Sequence, residues 1–381
     1  MNSPLRICLV SAAYHPYPSG VSEHVSQLGT SLQQIGHRIE VLTTRFPDHH
    51  DDSTEPFPVT RFGRVLLVPM NGSYATLPVG LKMAGQVARF LGERSFDIVH
   101  CHGMFWPEIS YWAIRHSRAI NVVSFLTAGF STGSRGGKTY QWLFRSHLRK
   151  IHGRVPISNR AREAFEAYVP GDCRIIPCGV DLARFRPNVP PLPEQRPGSP
   201  TILFLGRLDA RKGILVLIRA MPEILARLPD ARLLVIGTGP QAASAVRLAR
   251  RLDAAGAVEF VGRVDRQDIA RYYAGCDIYC APTLGGETLG IVLLEAMATG
   301  KPVVTTEIPG YDETARADTD AILCRPGDPH ALAAAIIRVA QDRELSRRLV
   351  ESGLQRVQEY SWTSVARRTA DYYRELLDSR A

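Results

Sequence analysis

Along the chain, short apolar runs alternate with stretches in which apolar residues recur at helical spacing. LRICLVSA, HRIEVLTT, FDIVHCH and INVVSFL read as strands in the first half. TILFLGR, ARLLVIG, AVEFVG, DIYCAP and PVVTT read as strands in the second. Runs so uniformly apolar suit strands buried on both faces, the condition of a parallel sheet. Between them, SEHVSQLGTSLQQIG and ILVLIRAMPEILARL carry the period of amphipathic helices. Repeated strand–helix–strand units predict an open α/β sheet with helices on both faces.

The pattern runs through twice. It breaks at RPNVPPLPEQRPGSP, residues 186–200, where six prolines interrupt any periodicity. A length of 381 residues suits two domains better than one, because single cores stop growing near ~250–300 residues. The expected division is a first Rossmann-like domain at 1–185, the linker 186–200, and a second Rossmann-like domain at 201–360. The tail, 361–381, reads as a helix packing back on the first domain. The two sheets are expected to face each other across a cleft, with ligands at the carboxyl ends of their strands.

Composition adds exclusions. No run approaches the ~18 apolar residues of a membrane span. The apolar run Ile7–Ala13 is followed by a Tyr-His-Pro turn instead of a small-residue cleavage site. It therefore reads as a first strand, and the expected location is the cytoplasm. Seven cysteines, Cys8, Cys101, Cys173, Cys178, Cys276, Cys280 and Cys324, are scattered and never spaced C-x-x-C. They read as small buried hydrophobes, not as a disulfide framework or zinc site. Net charge is +9, almost all from Arg. Such charge fits anionic partners, but no nucleic-acid-binding motif is present, so nucleic acid is not among them.

The strongest local signal is CAPTLGGETLGIVLLEAMATGKPVV. A strand over Asp277–Ala281 ends in a glycine-containing loop, and a helix is expected over Gly290–Thr299. Free N–H groups and a partial positive charge at a helix start suit an anion. The amides near Thr288, Leu289 and Gly290 can cradle a diphosphate. Glu287, just before the helix, can then touch a sugar, and Glu295, on it, can accept hydrogen bonds from ribose hydroxyls. An isolated pair of glutamates would more simply stabilise a helix start and a solvated face. The glycines and the strand–loop–helix setting favour binding.

In TILFLGRLDARKGILVLIRAM, Arg207 follows a strand and Gly206, and Lys212 precedes another Gly and a helix. Two such cations suit a leaving diphosphate, or they are solvated surface charges. Gly20, after the first strand in YHPYPSGVSEHV, lets an anion approach bare backbone, or simply shapes a turn. His100 and His102 end the strand FDIVHCH, where His102 can meet donor or acceptor or be a satisfied structural His. The segment 134–154 is basic and partly amphipathic, with Leu143, His147, Leu148 and Ile151 on one face and Arg145, Arg149, Lys150 and Arg154 largely outside it. It reads either as a helix lying on an anionic membrane surface or as an ordinary surface helix. Asp318-Thr319-Asp320 imitates a metal-binding D-x-D but reads as a surface turn. Phosphate charge then falls to Arg207, Lys212 and a helix terminus, with no metal or other cofactor called for.

Together these motifs resemble glycosyltransferase family four, retaining enzymes of the GT-B fold. The likeness runs through PSGVSEHV, IIPCGVDLARF, GRLDARKG, VIGTGP, VEFVGRV, the E-x(7)-E run from Glu287 to Glu295, and IPGYDE ending in Glu313. Within the family it is nearest to bacterial phosphatidylinositol mannosyltransferases, through YCAPTLGGETLGIVLLEAMATGKPVV, VPMNGS and KIHGRVPISNRARE. The resemblance implies transfer of a hexose, mannose among the candidates, from a nucleotide diphosphate sugar to a hydroxyl acceptor such as a lipid or glycan. It implies that Gly20 faces the diphosphate and that Arg207 and Lys212 neutralise it. It further implies that the backbone of Gly262, Arg263 and Val264 holds the base, Glu287 the sugar and Glu295 the ribose. It implies a metal-free reaction, carried out in the cytoplasm or at the inner face of the membrane. Two positions depart from the family pattern. Leu126 stands where members often carry His, followed by Thr127 and Ala128, and Cys178 stands where Asn is usual. Two other readings fit the same architecture: a nucleotide-sugar-binding protein without transferase activity, and a nucleotide-sugar epimerase.

Overall fold

The computed structural model describes residues 3–17, 19–46, 55–70, 73–80, 82–103, 108–126, 134–192 and 200–380. Two compact units form: Met1–Gly179 together with Trp362–Ala381, and Val180–Ser361.

The first unit holds a seven-stranded sheet of β1 (Arg6–Ser11), β2 (Arg38–Arg45), β3 (Val59–Met70), β4 (Ser73–Val79), β5 (Ile98–His102), β6 (Ile120–Phe125) and β7 (Gly153–Pro156). Its order is β4-β3-β2-β1-β5-β6-β7, parallel except where β4 pairs antiparallel with β3. The second unit holds a six-stranded parallel sheet of β8 (Thr201–Leu205), β9 (Arg232–Ile236), β10 (Val258–Gly262), β11 (Ile278–Ala281), β12 (Val303–Thr306) and β13 (Ile322–Cys324), in the order β10-β9-β8-β11-β12-β13. Without β4, both sheets run third-second-first-fourth-fifth-sixth, the doubly wound order. The same end device recurs. Asp97 accepts the Arg6 amide at 2.7 Å, and Asp277 accepts the Thr201 amide at 2.7 Å.

All nine expected strands form, and all but the edge strand β10 are largely buried; β6 is buried along its whole length. The pattern misses β3, β4, β7 and β13. Three of these are edge strands and β3 lies next to an edge; β7 and β13 span only four and three residues, too short for a recognisable apolar run.

The chain passes between the units at Gly179–Val180, ahead of the expected 185, and at Ser361–Trp362, beside the expected 360–361; the stretch 186–192 and residue 200 belong to the second unit. Of the proline-rich stretch, 193–199 lies outside the described residues; Pro187 packs near Gly300 of the second unit. The terminal helix Trp362–Asp378 belongs to the first unit, where Tyr373 Oη meets His100 Nδ1 at 2.6 Å.

The 134–154 segment is not one amphipathic helix. A helix over Ser134–Leu143 stops, a single turn follows at Arg145–Leu148, and β7 begins at Gly153. The break at Phe144 separates the expected face. His147 and Ile151 are buried, whereas Trp142 and Leu143 are 78% and 63% exposed. The D-x-D reading also needs correction. Residues 318–320 form the expected turn with Asp318 and Thr319 exposed, but Asp320 is buried, accepting the Arg316 amide at 2.5 Å and its Nε at 2.7 Å. All seven cysteines are free, and all but Cys173 are buried. No helix among the described residues is long and apolar enough to cross a membrane.

Candidate functional site

In the second unit β8 and β11 are neighbours where the strand order reverses, the point at which ligands meet doubly wound sheets. The loops after these two strands are stitched together. After β8, Asp209 Oδ1 accepts the Lys212 amide at 3.1 Å and closes a 3₁₀ turn over Ala210–Lys212. Gly213 follows with φ 72°, and any Cβ there would collide with the Pro282 carbonyl. The Leu284 amide donates to Arg211 O at 2.7 Å, tying the β11 loop to the turn. Gly206 ends β8, and a side chain at Gly237 would strike its carbonyl, so VIGTGP presses on GRLD from the β9 side.

The stretch Glu287–Gly290 leads into the helix Ile291–Ala298, with Gly290 at φ 75° as its N-cap. IPGYDE forms its seat. Gly310 lies against the Glu287 carbonyl, the Tyr311 ring lies against Gly290, and Thr314 Oγ1 donates to Leu289 O. Tyr311 is fully buried, and its hydroxyl bonds Thr283 at 3.0 Å. A first helical turn has no intrahelical partners for its N–H groups, and its dipole is positive. Thr288, Leu289 and Gly290 thus present a fixed backbone suited to an anion.

The charged groups converge here. Lys212 Nζ lies 2.7 Å from Glu287 Oε1. Arg211, which the sequence reading passed over, donates from Nη1 to Gly286 O at 3.0 Å and to the same carboxylate oxygen of Glu287. Its signal was plain in ARKG: a third cation on the loop that carries Arg207 and Lys212. Arg207 stays largely exposed, with its nearest carboxylate, Asp209, at 3.8 Å. Glu295, half-buried on the helix, takes a hydrogen bond from Tyr273 Oη at 3.1 Å. At the carboxyl end of the edge strand β10, Gly262 has φ 81° and open space beside it, and its carbonyl accepts the Gly237 amide at 2.7 Å. Arg263 is exposed and Val264 half-buried.

In the first unit Gly20 opens the helix Gly20–Gln34, capped by Ser19 Oγ, which accepts the Ser22 amide at 3.0 Å. Gly20 is exposed with nothing near its missing Cβ. The preceding loop is anchored by Tyr14, whose hydroxyl donates to Glu55 at 2.6 Å. His102 does not reach an open site as expected. It is 4% exposed and packed between His100 and His24, with ring centroids at 4.4 and 5.3 Å. Burial holds its imidazole down at about 4, so it is neutral near pH 7. It is thus a buried structural His, the other of the two readings, held against the Val10 backbone without a full hydrogen bond at either ring nitrogen. The reason is register: β5 places His100 and His102 on one face, under the terminal helix. Cys178 Sγ meets His24 Nδ1 at 3.2 Å. Leu126, just past β6, is half-buried; Thr127 and Ala128 lie outside the described residues.

Comparison with known proteins decides the family. Residues 18–184 match the model for Glycosyltransferase Family 4, and residues 190–356 match that for Glycosyl transferases group 1. The phosphatidyl-myo-inositol mannosyltransferase of Mycolicibacterium smegmatis is 34% identical over 369 residues, covering 95% of this chain and 92% of that protein. The chain belongs to glycosyltransferase family 4. A glycogen synthase of Mycobacterium tuberculosis is 30% identical over 400 residues, covering 97% of this chain and 94% of that one. Among solved structures, a glycosyltransferase from Rickettsia africae superposes with a TM-score of 0.78 at 20% identity, covering 98% of this chain and 99% of that one. An Anabaena protein, HepE, crystallised with UDP and glucose, gives 0.72 at 17% identity, covering 97% and 99%. The family 4 member described here is therefore a glycosyltransferase of the GT-B fold. The binding-only and epimerase readings draw no support from these relatives.

Proposed function

We propose that this family 4 glycosyltransferase transfers a hexose, mannose first among the candidates, from a nucleotide diphosphate sugar to a hydroxyl acceptor with retention of configuration. The observation that carries the reading is the convergence of Lys212, Arg211 and Glu287 beside the start of the helix Ile291–Ala298. Arg207, Lys212 and the amides of Thr288, Leu289 and Gly290 neutralise the departing diphosphate, which charge-bearing groups in a fixed frame do without reorganising. Glu287 holds the sugar and Glu295 the ribose. Gly262, Arg263 and Val264 hold the base, and Gly20 approaches the diphosphate. The cations present make a metal unnecessary in this scheme, so turnover should survive EDTA. His102 enters only as a neutral, buried neighbour of the first unit's loops. Mannose is favoured because a 34% identical relative is named a mannosyltransferase, and the same name favours a lipid acceptor.

Calorimetric titration with GDP-mannose, UDP-glucose and UDP-N-acetylglucosamine tests the donor. Tighter binding of GDP-mannose than of either UDP sugar supports the reading; binding of none overturns it. A membrane surface is a second part of the proposal. Trp142 and Leu143 are exposed beside Lys138, Arg145, Arg149 and Arg154, a combination suited to anionic head groups. Co-sedimentation with anionic but not neutral vesicles at low salt checks it.

A further inference from the structure

Glu295 must aim its carboxylate to serve a ribose, and it stands half-buried on its helix. Tyr273 lies behind it. It is 0% exposed, on the helix Ile269–Gly275, and its Oη is 3.1 Å from Glu295 Oε2 and 3.2 Å from Val292 O. A phenol has one proton. The Val292 carbonyl already belongs to the first turn of its helix, and a carboxylate is the stronger acceptor, so the proton goes to Glu295. The ring has no freedom to withdraw it. Tyr279 packs at 5.2 Å and 61°, and Phe185 at 5.9 Å and 78°. Burial and the neighbouring carboxylate both push the phenol well above its ordinary range, so the donor stays protonated.

We propose that Tyr273 is a positioning residue for donor recognition: its buried hydroxyl fixes the plane of the Glu295 carboxylate so that the carboxylate meets the ribose diol. The inference rests on the assignment of Glu295 to the ribose. Tyr273 is sealed from solvent, and its other neighbours are the helix-backbone carbonyl of Val292 and the buried rings of Tyr279 and Phe185. Any effect of its loss on the nucleotide should therefore pass through Glu295 and show in ribose discrimination.

The test is calorimetric titration of the full chain with GDP, UDP and their 2′,3′-dideoxy counterparts, using wild type, Tyr273→Phe and Glu295→Ala. Wild type should prefer the ribose form of the nucleotide it binds. Tyr273→Phe should weaken that form roughly tenfold, as loss of a hydrogen bond to a charged group does, and leave the dideoxy form unchanged. The unchanged dideoxy binding also reports an intact fold. Retained ribose preference in Tyr273→Phe, or equal weakening of both forms, overturns the inference. A ribose preference that survives in Glu295→Ala, or is lacking in wild type, instead removes the assignment of Glu295 on which it stands.

Discussion

The two units share their wiring and differ in what they bury. Both thread six parallel strands in the same order, and both tie the first strand's start with an aspartate, Asp97 in one and Asp277 in the other. The second unit's core cluster is aliphatic, built from residues such as Ile214, Leu217, Met221, Leu233 and Ile336. Tyr273, Tyr279 and Tyr311 also lie buried in that unit. The first unit instead buries His24, His100 and His102 together. Of 11 histidines only His330 falls in the second unit. One topology thus holds an aliphatic interior beneath the proposed diphosphate site and a second interior that carries latent charge.

The largest expected effect lies in the second unit. Glu287→Ala should reduce transfer roughly 10²–10³-fold with the melting temperature unchanged, as removal of one transition-state contact does. Near-wild-type turnover would break the assignment of chemistry to this unit. Gly213→Ala comes next. It forces a side chain into φ 72° and against the Pro282 carbonyl. A loss on the order of 3 kcal/mol is expected, read as early denaturant unfolding of the second unit. An unaltered midpoint would show that the two loops are not stitched as described.

The difference between units also decides what was legible in the sequence. The second unit's loops announce themselves because glycine is required where backbones touch: Gly213 on Pro282, Gly237 on Gly206, Gly310 on Glu287. Strand, turn and cation therefore occur at fixed offsets, and Glu287, Lys212 and Glu295 stand out. Arg211 shared the loop's signal and was passed over; Tyr273 did not stand out, because a Tyr inside a helix has no local signature and only the fold brings it to Glu295. In the first unit, apolar runs revealed β1, β2, β5 and β6, but β7, four residues long, offers too short a run to be seen. His102 was misread because strand alternation tells which residues share a face, not which face the terminal helix covers some 270 residues later in the chain, where Tyr373 meets His100.

Acid should separate the units. His102 titrates at about 4 in the folded chain against an ordinary 6.5. Between those values the unfolded chain binds more protons, so stability is full above pH 6.5 and falls as pH drops toward 4. One such group costs about 3 kcal/mol across that window. His24 and His100 are shifted in the same direction by the same burial. Hydrogen exchange at pH 7 and pH 5 should show β5 and β6 losing protection while β8 and β11 keep it. Equal loss in both units would mean that the buried histidines do not govern the first unit's stability.

The smallest effect gives the finest comparison. Ser158 Oγ accepts the Ala161 amide at 3.0 Å in the first unit, and Asp342 Oδ1 accepts the Leu345 amide at 2.9 Å in the second. Each caps a helix, and Ser158→Ala and Asp342→Ala should each cost about 1 kcal/mol at pH 7. Each loss removes one accepted amide hydrogen bond, and Asp342→Ala removes a charge as well, so the comparison lies in how far each variant's midpoint falls between pH 7 and pH 5. The first unit has already spent part of its stability on neutral imidazoles, so the denaturant midpoint of Ser158→Ala should fall further than that of Asp342→Ala. If the two variants track each other at both pH values, the units unfold as one cooperative body, and their different interiors have no separate stabilities to reveal.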